Sequence, residues 1–360
     1  MKNDLTEVDK LVTGTQTDSV SQTEKLRQPS SGLSLKVIEM ALHKSPTGGN
    51  SKPFHWHWEK NNLIIKHSFE HAAHYLNRNN HTSWIALGCL IESVKVAALS
   101  QDWEAHSQIS NDNLSAQISF TAATSSSVPI PRLIALLDRI TYRGPLSKSE
   151  PPEIFTHHEN SSNGIQIKLA ETEDLSSEFK KFIISSETYI WLQQKATRAF
   201  FSEVRFFDHR KNERGIRSED LGINKADQFM LYCFSFIPWL LSVIVSIPVL
   251  NFSFKQASKR NLKNAHFVLI TAPSLKSLNL LNAGEAAIRL SIDLEMQGYV
   301  VQPYSMASIT LVDAATNQLP TDTLEKFKTL FTQIGPEVLK NQFNLEIVEK
   351  PIWLLRVGRK

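Results

Sequence analysis

Apolar residues recur at helical spacing through Leu33, Leu35, Val37, Ile38, Ala41 and Leu42, which predicts a first helix near 33–42. The cluster Ser45-Pro46-Thr47-Gly48-Gly49-Asn50 stops it. Aromatics then alternate in Phe54-His55-Trp56-His57-Trp58, the period of a strand. Leu63-Ile64-Ile65 follows as its partner across an Asn61-Asn62 turn. From about 82 to 100 the chain is apolar on nearly every face (Trp84, Ile85, Leu87, Leu90, Ile91, Val94, Val96), so this helix belongs at a domain centre, with Gly88 permitting close packing. A further strand is expected up to Phe120, and Thr124-Ser125-Ser126-Ser127 marks a loop that ends a first half.

A second half opens with a predicted helix at 131–140 and the segment Thr141-Tyr142-Arg143-Gly144-Pro145. Residues 147–165 read as loop and 177–206 as one long helix. His266 to Ile270 reads as a buried strand, 277–297 as a second strong helix capped by Gly298, and Ile352 to Gly358 as a closing strand. Gly88 and Gly284 stand in the two strong helices, each the same fifteen residues before an aromatic, Trp103 and Tyr299. Helix, strand, central helix and strand recur in the same order, a faint internal repeat. The expected organisation is a polar tail at 1–32, a first half at 33–128, and a second half at 129–360 with an apolar insertion at 228–254.

The tail is rich in Ser, Thr, Gln and Lys, without the apolar core of a signal peptide, and is expected to be disordered. The uncharged 228–254 segment has the length of a bilayer span, but Pro238 and Pro248 and several Ser residues argue against one. Two short apolar elements are expected there, either a lid over the site or plain core. A membrane-surface contact through Phe236, Trp239 and Leu240 is the third reading. With a net charge of +3 and no Lys/Arg stripe, nucleic acid is not an expected partner. Cys89 and Cys233 sit in apolar runs and read as two buried thiols of a reducing, cytoplasmic compartment.

Four segments are candidates for chemistry. In Pro46-Thr47-Gly48-Gly49-Asn50-Ser51 the glycines allow a flat ligand to approach the backbone, and Thr47, Asn50 and Ser51 offer hydrogen bonds; a plain helix-to-strand turn fits as well. Thr141 and Arg143, before Gly-Pro, suit a phosphate, although a lone loop arginine is usually solvated. Ala283 and Gly284 are small residues early in a helix, fitting either a ring system or helix packing. Arg356, Arg359 and Lys360 place three cations at a strand end, suited to a phosphate dianion or to a solvated terminus. His55, His57, His67, His71 and His74 lack the order of a zinc motif, and no metal is expected. No dinucleotide fingerprint, P-loop or nucleophile elbow occurs.

Together these segments resemble the nitroreductase-like flavoprotein family. Pro46-Thr47-Gly48-Gly49-Asn50-Ser51-Lys52-Pro53-Phe54 is similar to its Pro-Ser-x-x-Asn-x-Gln-Pro-Trp segment, with Lys52 for Gln and Phe54 for Trp. Thr141-Tyr142-Arg143 resembles its Arg-x-Ser/Thr-x-Arg opening, with Arg139 near but out of register for the first Arg. Asn282-Ala283-Gly284 through Val300-Val301-Gln302-Pro303 resembles its glycine-led helix and Pro ending, and Arg356-Val357-Gly358 its final strand. In that family two identical subunits build each FMN site. Here the loop falls in the first half and the other pieces in the second, as in the twin-domain, or Acg-type, branch.

The resemblance implies an α+β, nitroreductase-like fold whose two halves form an internal pseudo-dimer, a monomer with one FMN site. It implies hydride transfer through flavin N5, with NADH or NADPH as electron donor and a small-molecule substrate. Arg143, Arg356, Arg359 and Lys360 would lie near the phosphate, Thr47 and Asn50 near the ring or ribityl chain, and the amides of Ala283 and Gly284 near N5. Because the cofactor would carry the reaction, no catalytic acid, base or nucleophile is assigned. A protein that only sequesters FMN, and a biosynthetic FMN-dependent dehydrogenase, are the alternatives.

Overall fold

The computed structural model describes residues 32–360 except 74, 111, 125–129, 154–163, 209, 211–213, 248–254 and 257. The expected tail, His74, and most of the 124–127 and 147–165 loops lie outside the described residues, as does the end of the apolar insertion. Helices and antiparallel sheets are both present, an α+β architecture.

Helix α1 (Leu35–Lys44) leads through a 3-10 turn at Gly48–Asn50 into β1 (Phe54–Glu59) and β2 (Asn62–His67), then the central helix α2 (His81–Leu99), β3 (Trp103–Ser110) and β4 (Ser115–Ala122). α3 (Ile130–Asp138) precedes β5 (Gln166–Ala170), and β8 (His266–Ala272), α8 (Ser277–Met296), β9 (Val300–Pro303) and β10 (Lys350–Gly358) complete a second set. Between β5 and β8 lie α4 (Ser177–Leu192), α5 (Gln194–Glu203), the two-residue strands β6 (Val204–Arg205) and β7 (Ile216–Arg217), α6 (Lys225–Phe236) and α7 (Pro238–Ser246). α9 (Ser305–Ala315) and α10 (Gly335–Phe343) separate β9 from β10.

The two sheets share a topology. The first is ordered β1-β2-β4-β3 and the second β5-β8-β10-β9, so each runs first-second-fourth-third, with every pairing antiparallel. In each, a long helix joins the second strand to the third, and a short helix, α1 or α3, precedes the first. Where the first sheet has a tight turn between its first two strands, the second accommodates α4 to α7.

The long helices α2 and α8 pack on one another in the largest apolar cluster, which draws side chains from both sheets. Their contact is reciprocal. A β-carbon at Gly88 would overlap the carbonyl of Leu281, and one at Gly284 would overlap the carbonyl of Ile85, in each case the residue three positions before the other glycine. The same β-carbons would press on the amides of Glu285 and Cys89, each the residue after the other glycine. Around this crossing Arg289 pairs with Glu92 at 2.7 Å and Lys95 with Glu285 at 2.7 Å. Burial pushes the Glu92 carboxyl above its usual range, and the Arg289 charge opposes that shift. α2 has the length and apolarity of a bilayer span but is enclosed by the fold.

Several expectations need correction. The helix expected at 177–206 is two, broken at Gln193, whose backbone is extended and whose amide donates to Asp322 O at 3.0 Å. Cys89 is buried, but Cys233 is exposed, because it lies on the outward face of α6. The apolar insertion is indeed two short helices bent by 119°. Leu231, Leu241 and Val245 pack inward against Phe201, while Phe229, Phe236 and Trp239 stay exposed.

Candidate functional site

A cavity of about 90 Å³, open to solvent at its mouth, lies beside the α2–α8 crossing. Its lining draws on both parts of the chain: Pro46, Thr47, Gly48 and Gly49 after α1; Thr82, Ile85 and Ala86 on α2; Thr141 and Arg143 after α3; and Pro303, Ser305, Ile309 and Trp353. The two loops thus follow corresponding helices of the two sets. Arg139 ties those helices together, its Nη2 donating to Lys44 O at 2.7 Å.

The 46–52 loop is held from within and from outside. Asn50 N donates to Thr47 O and Ser51 N to Gly48 O, closing the turn, and Lys52 N donates to Thr47 Oγ1 at 3.1 Å. Gly49 has φ +58°, a conformation that glycine adopts without strain, and a β-carbon there would strike the Glu203 carboxylate. Burial pushes the Glu203 carboxyl up to about 7. Asn50 does not line the cavity. Its Nδ2 donates to Gly215 O at 2.9 Å, and Gly215 N donates back to Asn50 O at 3.0 Å. Ser51 is buried beneath the loop and does not line it.

The opposite wall is braced by the second sheet. Tyr142 N donates to Val301 O at 3.1 Å, and Thr141 bridges Val301. Arg143 donates through Nη1 to Asp220 O at 3.0 Å, and Gly222 packs on its carbonyl. Burial lowers the proton affinity of this guanidinium, which still stays charged, as arginines do in proteins. Arg356 is fully buried and does not reach the cavity. Its three guanidinium nitrogens donate to Asn261 O (2.7 Å), Gln302 Oε1 (2.9 Å) and Gly144 O (3.0 Å), so it anchors the turn after Arg143. Arg359 stacks on the Tyr299 ring and donates to Gln297 O, and Lys360 sits over the Tyr142 ring; neither lines the cavity. Ala283 and Gly284 are buried in the helix crossing, Gly284 against the Ile85 carbonyl, and do not themselves line the cavity.

Several lining residues were not singled out as candidates by sequence. Thr82 opens α2, where Asn77 Oδ1 accepts from Ser83 N at 3.1 Å. Ser305 opens α9, whose N-cap, Tyr304, makes no side-chain capping hydrogen bond. Trp353 follows an irregularity in the β10–β8 register between Pro351 and Trp353, and its buried Nε1 has no hydrogen-bond partner among the described residues. The aromatic in the closing strand was the available signal for Trp353; nothing local marked Thr82 or Ser305. Beneath the cavity His81 Nδ1 lies 3.0 Å from Asp313 Oδ1, a buried pair joining α2 to α9. Among the described residues no group of three His, Cys, Asp or Glu side chains is arranged to hold a metal ion.

No known family model matches the chain, and no curated protein matches it. One solved structure with a similar outline is a provisionally assigned nitroreductase from Anabaena variabilis, 10% identical, with a TM-score of 0.33, the match covering 83% of this chain and 69% of that one. At that score the two backbones share only a loose course.

Proposed function

We propose that the chain is an FMN-binding oxidoreductase of nitroreductase type, an internal pseudo-dimer whose two halves build one cofactor site at this cavity. The observation that carries the reading is that corresponding loops, Pro46 to Gly49 and Thr141 to Arg143, line one cavity beside the reciprocal Gly88–Gly284 crossing. The matching strand orders of the two sheets support the relation between the halves.

The residues present fit the cofactor's chemistry. Ile85, Ala86, Ile309 and Pro303 offer apolar surface to a flat ring system, and Gly48 and Gly49 let it approach the backbone. Trp353 Nε1, without a partner among the described residues, is a donor for a ring acceptor, and Thr47 and Thr141 offer hydroxyls. The α2 and α9 N-termini favour negative charge, and Arg143 is the cation at the cavity for a phosphate. In this reading Arg356 acts as a positioning residue through Gly144, and the small size of Ala283 and Gly284 serves the helix crossing. When bound, the flavin supplies hydride transfer. The chain binds it, orients it, and leaves the cavity mouth for NADH or NADPH and a small-molecule substrate.

Anaerobic mixing of the FMN-loaded protein with NADH or NADPH, followed at the flavin absorbance, tests the catalytic part. Bleaching that saturates with nicotinamide concentration is expected. A loaded protein that neither nucleotide reduces faster than it reduces free FMN is a flavin store and not a reductase.

A further inference from the structure

A second cavity, about 360 Å³ and open at its mouth, shares no lining residue with the first. Its volume falls within the ~300–1,000 Å³ of small-molecule sites. Tyr75 and Arg78, just before α2, form one wall. Lys195 on α5 and the turn after α9, Asn317 to Asp322, form the other. α9 runs from one cavity to the other: Ser305 at its start lines the first, and Asn317, just beyond its end, lines the second.

Local sequence fixes both walls. Asn77 Nδ2 donates to Ala72 O at 2.9 Å, and Asn77 Oδ1 accepts from Ser83 N at 3.1 Å, which ties the turn bearing Arg78 to the start of α2. Asn79 and Asn80 then take left-handed φ values of +49° and +58°, a conformation that asparagine adopts more readily than most residues. In the other wall Asn317 ends α9 at φ +57°, and Gln318 N donates to Asp313 O at 2.7 Å. Gln193 Nε2, at the break between α4 and α5, donates to Asp322 O at 3.0 Å.

Charge identifies the ligand. Lys195 and Asp322 pair at 3.2 Å, so within the lining they offset one another. Arg78 remains. Its guanidinium carbon lies 4.9 Å from the centroid of the Tyr75 ring, and it makes no hydrogen bond or ion pair among the described residues. The Tyr75 and Tyr189 hydroxyls bond each other at 2.8 Å, and burial pushes both phenols above their usual range, so neither supplies a counter-charge. Asp313, whose carboxyl feels the Arg78 charge, is already held by His81 at 3.0 Å. A guanidinium stacked on a ring, with its N–H groups uncommitted, presents the fork that grips a carboxylate. Tyr75, Leu319 and Pro320 add apolar surface to the same cavity. The C-terminal end of α9 opposes an anion, but a charge at a helix end is worth only up to about fivefold in affinity. A charge-assisted hydrogen bond is worth about ten- to a hundredfold, so the guanidinium wins.

We propose that this second cavity binds a small carboxylate with an apolar body, its carboxylate held by Arg78 and its body against Tyr75, Leu319 and Pro320. The site is separate from the first cavity, and the proposal holds whatever that cavity binds.

Calorimetric titration of the full chain with benzoate, and with benzamide as its neutral counterpart of the same shape, tests it. Benzoate is expected to bind saturably, and benzamide about tenfold or more weakly than benzoate. Arg78→Gln should lower benzoate affinity by about ten- to a hundredfold and erase the difference between the two compounds. Arg78→Lys should lose less, because it keeps the charge without the fork. Arg143→Ala, in the first cavity, should leave benzoate binding unchanged. A measurement on the wild-type chain guards against a misfolded variant: benzoate, and not benzamide, should slow modification of Arg78 by phenylglyoxal, followed by mass spectrometry of the peptide that carries it. Absence of saturable benzoate binding would overturn the proposal. So would equal binding of benzamide, or a loss of benzoate binding in Arg143→Ala with none in Arg78→Gln.

Discussion

Gly88→Ala and Gly284→Ala should each destabilise the protein severely and to similar extents. Two effects oppose one another. In a helix interior Ala is favoured over Gly by about 1 kcal/mol. Against this, the added methyl at either site would overlap a backbone carbonyl of the facing helix, Leu281 O or Ile85 O, and press on an amide behind it. Backbone atoms cannot rotate aside as a side chain does, so the helices must separate along the largest apolar cluster of the molecule. Overpacking costs ~1–3 kcal/mol where neighbours can adjust, and more where they cannot. The steric term wins, and urea midpoints should fall for both variants. The reciprocal geometry makes their losses similar. Gly298→Ala is the contrast: its β-carbon would meet nothing within 4 Å, so only the φ of +78° penalises it, by roughly 1–2 kcal/mol. Unchanged or raised stability for Gly88→Ala would mean that the helices cross elsewhere.

Arg143→Ala should weaken FMN binding far more than riboflavin binding. A hydrogen bond to a charged group is worth ~1.5–3 kcal/mol, and ~1.4 kcal/mol is tenfold in affinity. The expected loss for FMN is therefore about ten- to a hundredfold. Riboflavin lacks the phosphate, so it reports separately on the other consequence of the substitution, the lost bond from Arg143 Nη1 to Asp220 O. Titration of apoprotein with each flavin measures both. Arg143→Lys should lie between, because an ammonium keeps the charge without the guanidinium fork. Equal losses for the two flavins would place the phosphate elsewhere and reopen the question of Arg359 and Lys360.

The strongly periodic elements were legible in the sequence. The run around Leu87 and Leu90 is apolar on nearly every side and is the central helix; Phe267 to Ile270 is an unbroken apolar run and lies in a fully buried strand. β3 escaped notice because its outward residues Glu104, His106 and Gln108 are polar and its inward face interrupts Trp103 and Ile109 with the small Ala105 and Ser107, an edge strand with little apolar signal. The break at Gln193 has neither Gly nor Pro; it depends on a contact with Asp322, far along the chain. The exposure of Cys233 illustrates a further limit. An apolar run indicates that a helix has something to cover, but not which faces the fold actually covers.

The candidate site divides in the same way. Pro46, Thr47, Gly48, Thr141 and Arg143 stand in turns with marked residue types, and these turns meet at one cavity. Arg356 carried a charge signal in the sequence, yet charge alone does not reveal that each of its guanidinium nitrogens bonds inward, to Asn261, Gln302 and Gly144. Thr82, Ser305 and Ile309 are ordinary helix residues, and only packing brings them to the cavity.

In the proposed function one chain holds one flavin between its own two halves. The most direct measurement is the FMN released by acid from protein purified or reconstituted with FMN, counted against chains whose mass in solution is determined by light scattering. One FMN per monomeric chain is the predicted result. A monomer that takes up no FMN, or a chain that holds it only as an obligate dimer, would contradict the account.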